Sequence, residues 1–201
     1  MLRRLADEML SLVESHASAI VAPFLAEWPD IDQPTRPEPT SLPVVRWLPH
    51  LAEPADPRAL SLVRLIVEHG DVLAWRQTYG AVDFGPDFLL RYGWTEIIGQ
   101  RGVFSSDRIA AGFLLLGPEL EYPFHSHDAE EIYIPLSGRT SWAAGDSGWQ
   151  TRKPGDLIHH PSRVPHAMRT SAMPLLALYV WRAGNLTQKS IIEPAITDGT
   201  P

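Results

Sequence analysis

The chain of 201 residues contains no cysteine. Without thiols it cannot form disulfides, use a thiolate nucleophile, or bind an iron–sulfur cluster or a cysteine-ligated zinc ion. Any metal ion must therefore be bound by histidine and carboxylate side chains.

Basic residues are few and long apolar runs are absent. Seventeen Lys and Arg against 24 Asp and Glu leave a formal net charge of −7, which disfavours binding to the phosphates of nucleic acids. No apolar run reaches the length of about 18 residues that a membrane helix needs, and Asp7, Glu8 and Glu14 interrupt any signal-peptide core. We expect a cytoplasmic protein that binds neither nucleic acid nor membranes, with a monomer and a homodimer both open.

The N-terminal region has a helical pattern interrupted by prolines. Apolar residues between positions 2 and 21 recur three and four apart, which predicts an amphipathic helix. Eight prolines between Pro29 and Pro57 exclude persistent regular structure and predict a covering arm. Asp56 as N-cap before Pro57, with Gly70 as the stop, predicts a second helix.

After Gly80 the pattern changes to short strands separated by Gly, Pro, Asp and Ser, which is typical of an antiparallel sandwich or barrel. We therefore predict a mostly β protein, with a helical region at 1–80 packed on a β-barrel at 81–201. The predicted strands are Trp94–Ile98, Ile109–Leu116, Glu131–Leu136, Arg139–Ala143, Leu157–His160, Ala167–Ser171 and Leu175–Trp181.

Five of the eight histidines lie between positions 125 and 166. On a strand, His125 and His127 point to the same face, because side chains two apart share a side of the sheet. Beyond a bend, Glu131 and Tyr133 share a face, whereas Glu130 points the other way. Three imidazoles and a carboxylate suit Fe²⁺, Zn²⁺, Mn²⁺ or Co²⁺, and the third imidazole must come from another strand.

The spacing His125-x-His127-x3-Glu131-x6-Gly138, followed by Gly155-x5-Pro161-x4-His166, resembles the two motifs of the cupin superfamily. The resemblance implies a cupin β-barrel. It also implies that one divalent metal ion is bound by His125, His127, Glu131 and His166, whereas His159 and His160 are not ligands.

This sequence departs from the cupin pattern at three positions. The glycine that usually lies upstream of the first histidine is displaced to Gly117, Arg163 replaces the usual glycine of the second motif, and Thr170 stands where asparagine is common. These departures concern the geometry of turns more than the binding of a metal.

A longer run is similar to the cupin-type dimethylsulfoniopropionate (DMSP) lyases of the Ddd type. It reads Tyr122-Pro123-x-His125-x-His127-x-Ala129-x-Glu131-x-Tyr133, then Leu136-Ser137-Gly138, and follows a helical region of about 80 residues, as in that family. The resemblance implies cleavage of DMSP to dimethyl sulfide and acrylate by base-catalysed β-elimination. It also implies that Tyr133 is the base, Tyr122 a second active-site tyrosine, and Trp181 an aromatic residue of the substrate pocket.

These residue types suit that reaction. A phenol is a weak base at neutral pH, but a nearby divalent cation favours its phenolate form, so Tyr133 or its helper Tyr122 can take a proton. The sulfonium group has no hydrogen-bond donor, and we expect it to lie against aromatic faces. The candidates for this contact are Trp181, Tyr122, Phe124, Trp94 and Trp142.

Two other functions use the same ligands. An Fe²⁺ cupin dioxygenase would consume O₂, and a non-catalytic cupin would bind a ligand without turnover. A further hypothesis is that residues 76–90 form a lid over the substrate, with a hinge at residues 80–86. The alternative is that the helical region simply packs on the barrel.

Overall fold

A computed structural model of the protein describes residues 1–31, 34–35, 37–51 and 57–193, which form eleven strands and five short to medium α-helices. The strands are β1 (Trp75–Arg76), β2 (Tyr92–Ile98), β3 (Ile109–Leu116), β4 (Glu121–Ser126), β5 (Glu130–Ser137), β6 (Thr140–Ala144), β7 (Gln150–Arg152), β8 (Ile158–His160), β9 (His166–Thr170), β10 (Leu175–Arg182) and β11 (Ile191–Ile192). The helices are α1 (Leu2–Glu14), α2 (Ala22–Ala26), α3 (Pro57–His69), α4 (Ala81–Phe84) and α5 (Pro86–Leu89), with 3₁₀ helices at Pro43–His50 and Gly70–Val72.

Two antiparallel sheets enclose the interior of the barrel. One has the order β1-β2-β3-β10-β5-β8 and the other the order β11-β4-β9-β6-β7. Tyr133 and Tyr179 of the first sheet share a buried cluster with Tyr122, Trp142 and Met168 of the second. The prediction of a mostly β, antiparallel barrel is confirmed.

The outer face of the six-stranded sheet is covered by the N-terminal helices. Side chains alternate along β5, so that Tyr133 points inward whereas Ile132 and Ile134 point outward. The outward residues join one apolar core with Leu5 of α1 and Ile66 of α3. Helices α1 and α3 therefore pack against this face of the sheet.

The N-terminal helix is shorter than predicted. Helix α1 ends at Glu14, and Ile20, which the helical spacing assigns to the apolar face, is 42% exposed. The His16 ring is hydrogen-bonded to the carbonyl oxygens of Leu12 (3.0 Å) and Gly155 (2.8 Å), so it joins the chain to the barrel where the helix stops. The prediction of one helix over residues 2–21 is wrong over residues 15–21.

The proline-rich arm contains more regular structure than predicted. Residues Pro43–His50 form a 3₁₀ helix that buries Val44 and Leu48. Pro43 is in its first turn, where a missing N–H removes no hydrogen bond. Helix α3 begins at Pro57 as expected, while the predicted N-cap Asp56 lies outside the described residues.

All seven predicted strands are present, with ends that differ by at most two residues. Strand β4 is not among these seven, although its residue His125 was treated as lying on a strand. The very short strands β1, β7 and β11 were not predicted, because two or three residues carry no alternation that a pattern can reveal. In the described part of the chain, none of the helices combines the length and the hydrophobicity needed to cross a membrane.

Candidate active site

The fold brings the two histidine motifs together inside the barrel. His125 on β4 and His166 at the start of β9 are direct cross-strand partners. His127 lies in the turn after β4, and Glu131 lies on β5 in the other sheet. All four side chains are at most 3% exposed, so this polar cluster is almost completely buried.

The cluster centres on one carboxylate oxygen. Oε2 of Glu131 lies 3.0 Å from Nε2 of His127 and 3.3 Å from Nε2 of His166. The potential donor atoms of these three residues all lie within 4.8 Å of one another. His125 is not part of that group, and its ring centroid lies 4.2 Å from that of His166 and 6.3 Å from that of His127.

Each of the three imidazoles is oriented by a backbone carbonyl. Nδ1 donates to the carbonyl oxygen of Pro123 in His125 (2.8 Å), of Ala129 in His127 (2.9 Å) and of Val164 in His166 (2.9 Å). Nδ1 therefore carries a proton in all three rings, which leaves Nε2 as the ring atom that can bind a metal, although Nε2 of His127 is hydrogen-bonded to Glu131 at 3.0 Å. Among the described residues the buried Nε2 of His166 has no hydrogen-bond partner, although it points toward Glu131. The cluster can thus hold a metal ion.

Burial and neighbouring charges shift the pKa values of Glu131 and His127 in opposite directions. Burial alone would raise the pKa of Glu131, but His127 and His166 hold it well below its usual value. Burial alone would lower the pKa of His127, but the Glu131 carboxylate raises it above its usual value. Burial lowers the pKa of His125 well below its usual value. The lowered pKa values of Glu131 and His125 favour the ionised carboxylate and the neutral imidazole, which are the forms that bind a metal ion, whereas the raised pKa of His127 favours the protonated ring that pairs with Glu131.

Trp181 contacts the cluster directly. It is the cross-strand partner of Glu131, and its Nε1 donates to Oε1 of that carboxylate at 2.5 Å. Its ring centroid lies 4.1 Å from that of His127. Trp181 therefore orients the carboxylate in addition to lining the cavity, a role that the sequence did not indicate.

The two tyrosines predicted for catalysis are both buried beside the cluster. Tyr133 lines the same cavity as Glu131, and burial together with that carboxylate raises the pKa of its hydroxyl well above the usual value. The Tyr122 ring stacks on His125 with centroids 4.0 Å apart and planes 8° from parallel. Burial also raises the pKa of the Tyr122 hydroxyl well above its usual value.

A cavity opens onto this cluster and contains most of the predicted site residues. Tyr122, His125, Glu131, Tyr133 and Trp181 all line it. Trp94 lines it as well, but the Arg101 guanidinium lies 4.6 Å from the centroid of its ring. That contact places a positive charge against Trp94, so this ring is a poor partner for a cationic substrate.

Two predicted aromatic contacts lie elsewhere. Phe124 is outside the central cavity, in a surface depression where its ring centroid lies 6.1 Å from that of Trp149. The register of β4 shifts between Tyr122 and His125, so strict alternation does not hold there. Trp142 is buried behind Tyr133, with ring centroids 5.0 Å apart.

The cavity also contains residues that the sequence did not reveal. All five tyrosines of the chain gather here: four line the cavity, and Tyr79 bonds to one of them. Tyr179 lies two residues before Trp181 on β10, so alternation could have identified it, whereas Tyr79 and Tyr92 belong to no motif. The other lining residues missed are Thr78, Arg101, Ala110, Leu114, Gln188 and Ser190.

The two histidines predicted not to be ligands differ in their surroundings. His159 points away from the interior and bonds to Glu130 at 2.8 Å. His160 is 1% exposed and stacks on His166 with centroids 4.1 Å apart. Neither belongs to the group of close donor atoms.

Two of the departures from the cupin motifs are accommodated locally. Arg163 adopts a left-handed backbone with φ of 63°, and its side chain bonds to Asp128 at 2.8 Å. The Thr170 hydroxyl donates to the carbonyl of Gly117 (2.7 Å) and accepts from the backbone N–H of Leu120 (2.8 Å). The turn geometry is thus retained without the usual glycine and asparagine.

An antiparallel barrel that buries a histidine and carboxylate cluster from two such motifs defines a cupin with a potential metal site. Comparison with known sequences then narrows the class, because the family model of the DMSP (dimethylsulfoniopropionate) lyases matches residues 17–177. The chain belongs to the DMSP lyase family.

Individual relatives agree with this assignment. The chain is 39% identical over 125 residues to the DMSP lyase DddQ of Ruegeria pomeroyi, a match that covers 62% of this chain and 62% of the relative. That match thus spans less than two thirds of the length of the curated relative.

Solved structures match over nearly the whole chain. The crystal structure of DddQ from Ruegeria pomeroyi superposes with a TM-score of 0.83 and 32% identity, over 95% of each chain. A chain from the crystal structures of the DMSP lyases RdDddP and RnDddQII superposes with a TM-score of 0.84 and 28% identity, over 96% of this chain and 100% of that one.

Proposed function

We propose that this protein is a metal-dependent lyase that cleaves DMSP to dimethyl sulfide and acrylate by base-catalysed β-elimination. Membership of the DMSP lyase family and the fold shared with DddQ support this reaction. The observation that carries the proposal is the position of Tyr133, which follows Glu131 by two residues on β5 and lines the same cavity as that residue of the potential metal cluster.

His127, Glu131 and His166 would hold one divalent ion, and His125 would serve as a fourth ligand. Their nitrogen and oxygen donors suit Fe²⁺, Zn²⁺, Mn²⁺ or Co²⁺. When bound, the ion supplies positive charge that polarises the substrate carboxylate and lowers the pKa of the Tyr133 hydroxyl.

Tyr133 acts as the base in this proposal. Its oxygen takes a proton from the carbon next to the substrate carboxylate. The electron pair of the broken C–H bond forms the C=C bond, and the C–S bond breaks with its electron pair remaining on sulfur. One DMSP zwitterion thus becomes neutral dimethyl sulfide, an acrylate anion and one proton. Tyr122 lies in the same cavity as a helper or alternative base.

The aromatic walls of the cavity would bind the sulfonium group. Trp181 and Tyr122 both line the cavity, and a cation at an aromatic face gains about 0.5 to 2 kcal/mol. Arg101 against Trp94 would repel a cation, which favours Trp181 over Trp94. The position of Phe124 outside the cavity argues against a substrate contact there.

Several features remain predictions. They are the division into a helical region at 1–80 and a barrel at 81–201, the lid at residues 76–90, the cytoplasmic location and the choice between monomer and homodimer.

The test is an assay of purified protein after chelation and after reloading with each candidate metal. Dimethyl sulfide in the headspace and acrylate in solution should appear in equal amounts, with and without O₂. Turnover that requires O₂ would identify the dioxygenase alternative. Binding of DMSP by the loaded protein without any release of dimethyl sulfide would identify a non-catalytic cupin and contradict the proposal.

A further inference from the structure

The two carboxylate oxygens of Glu131 have different neighbours. Oε2 lies 3.0 Å from Nε2 of His127 and 3.3 Å from Nε2 of His166. Oε1 instead accepts a hydrogen bond of 2.5 Å from Nε1 of Trp181. The side chain of Glu131 is completely buried, so these three neighbours fix the orientation of its carboxylate.

The distances at Oε2 suit a shared metal ion. Two ligand atoms that lie about 2.1 Å from one ion, at angles of about 90 to 110°, are about 3.0 to 3.4 Å apart. Nε2 of His127 and Nε2 of His166 both lie at that spacing from Oε2. The structure therefore presents Oε2 to the ion and turns Oε1 toward Trp181.

The sheet holds Trp181 in place as the donor. Trp181 on β10 is the cross-strand partner of Glu131 on β5, and its ring centroid lies 4.1 Å from that of His127. The next pair along these strands, Arg182 and Glu130, is joined by an ion pair. An indole N–H can donate but cannot accept, so the bond to Oε1 has only one possible direction.

This bond limits how Glu131 can bind an ion. A carboxylate that binds through both oxygens takes two positions on the ion, whereas one that binds through a single oxygen takes one. An oxygen that is engaged by Trp181 thus leaves one more position for another ligand. Glu131 and Trp181 both line the cavity, so that position is open to a molecule in the cavity.

We propose that Trp181 is a positioning residue that restricts Glu131 to ligation through Oε2 and thereby keeps a metal position open for the carboxylate of the substrate. The inference rests on the metal ion of the proposed function. It adds a second role to the contact between the Trp181 ring and the sulfonium group, and it requires no proton transfer. Small carboxylates such as acrylate are the ligands that this position would take.

Two substitutions separate the N–H donor of Trp181 from its ring. Trp181→Phe keeps an aromatic face but removes the donor, whereas Trp181→Gln removes the ring but keeps an N–H donor on a side chain of similar reach. Each protein is loaded with Co²⁺, whose visible absorption reports the set of ligands. Titration of that absorption with acrylate gives a Kd without any turnover.

The two variants should differ in opposite ways. In Trp181→Phe we expect an altered Co²⁺ spectrum, a Kd for acrylate raised about tenfold or more, and a kcat for release of dimethyl sulfide lowered to a similar extent. In Trp181→Gln the spectrum should be retained and the Kd for acrylate should stay within about twofold. Its KM for DMSP should rise, because the aromatic face is lost.

The matched control is Trp75→Phe, the same substitution outside the cavity. Nε1 of Trp75 also donates to a buried acceptor, the carbonyl oxygen of Gly70 at 2.7 Å, but Trp75 does not line the cavity. This variant should have a lower Tm with an unchanged Co²⁺ spectrum and an unchanged Kd for acrylate.

Three results would overturn the inference. They are an unchanged spectrum and Kd in Trp181→Phe, equal changes in the Phe and Gln variants, or an equal change in Trp75→Phe, which would trace the effect to lost stability. If the unmodified protein bound Co²⁺ and acrylate but released no dimethyl sulfide, the proposed function would be refuted, and the spectra and Kd values would still decide the role of Trp181.

Discussion

The three imidazoles of the cluster are oriented by their own sequence neighbours. The carbonyl that accepts from Nδ1 is two residues away in every case, at Pro123 for His125, at Ala129 for His127 and at Val164 for His166. Local backbone geometry thus directs each Nε2 inward before any ion is bound. Such preorganisation lowers the cost of ordering the ligands when they bind a metal.

Tyr133→Phe separates catalysis from metal binding. The substitution removes the proposed base but no predicted ligand, so we expect kcat to fall by about 10²- to 10⁴-fold. The metal content, measured by elemental analysis, should stay that of the unmodified protein. Unchanged kcat would show that Tyr133 is not the base and would direct attention to Tyr122.

Side chains along strands β5 and β10 alternate between the candidate site inside the barrel and the helices outside it. Their inward residues include Glu131, Tyr133 and Trp181 of the site, whereas Ile132 and Val180 face the helices. The same strands therefore hold the site residues and anchor the helical cover. Burial of the outward residues stabilises the strands that position the site.

Two adjacent residues of α3 test this coupling of helix and sheet. Ile66 is completely buried in the core beneath the helix, whereas Val67 is 41% exposed. Ile66→Ala should reduce the free energy of unfolding by about 2 to 5 kcal/mol because it leaves a cavity. Val67→Ala should change it by about 0.5 kcal/mol or less. Equilibrium unfolding in urea measures both, and equal losses would contradict the observed orientation of the helix.

Across the whole molecule, the proposed ligands link distant parts of the chain. His127, Glu131 and His166 come from both sheets and span 40 positions of sequence (127 to 166). In an unfolded chain these residues are not held together, so the folded state binds the ion far better. Binding is then linked to folding.

Removal of the metal should therefore lower the Tm. At a free metal concentration 100 times the Kd, binding contributes about 2.7 kcal/mol to stability, and that contribution is lost with a chelator. Differential scanning calorimetry with and without EDTA measures the shift. Glu131→Gln should abolish the shift, whereas His159→Ala, which removes a ring facing away from the interior, should retain it. A Tm insensitive to chelation in the unmodified protein would argue against a bound ion.

The predictable part of the fold rests on local patterns. The alternation of side chains along a strand correctly predicted that Glu131 and Tyr133 face the interior together. The turn-forming residues Gly, Pro, Asp and Ser located the ends of the seven predicted strands to within two residues of the observed ends. The errors arose where a tertiary contact or an irregular register replaced the local pattern. His16 bonds to the barrel beyond the point where α1 stops, and the register shift in β4 leaves Phe124 outside the cavity.

By itself, the sequence determined the class of fold, the absence of thiol chemistry and the two motifs that supply the histidines and the carboxylate. These follow from residue type and short-range spacing, which a single strand or turn expresses. Only the tertiary structure decided that Trp181 bonds to Glu131, that Arg101 covers Trp94, and that the Tyr122 hydroxyl donates to the Tyr79 hydroxyl. The bonds of Trp181 and Tyr79 join residues 50 and 43 positions apart, a distance at which no local pattern carries information about which side chains meet.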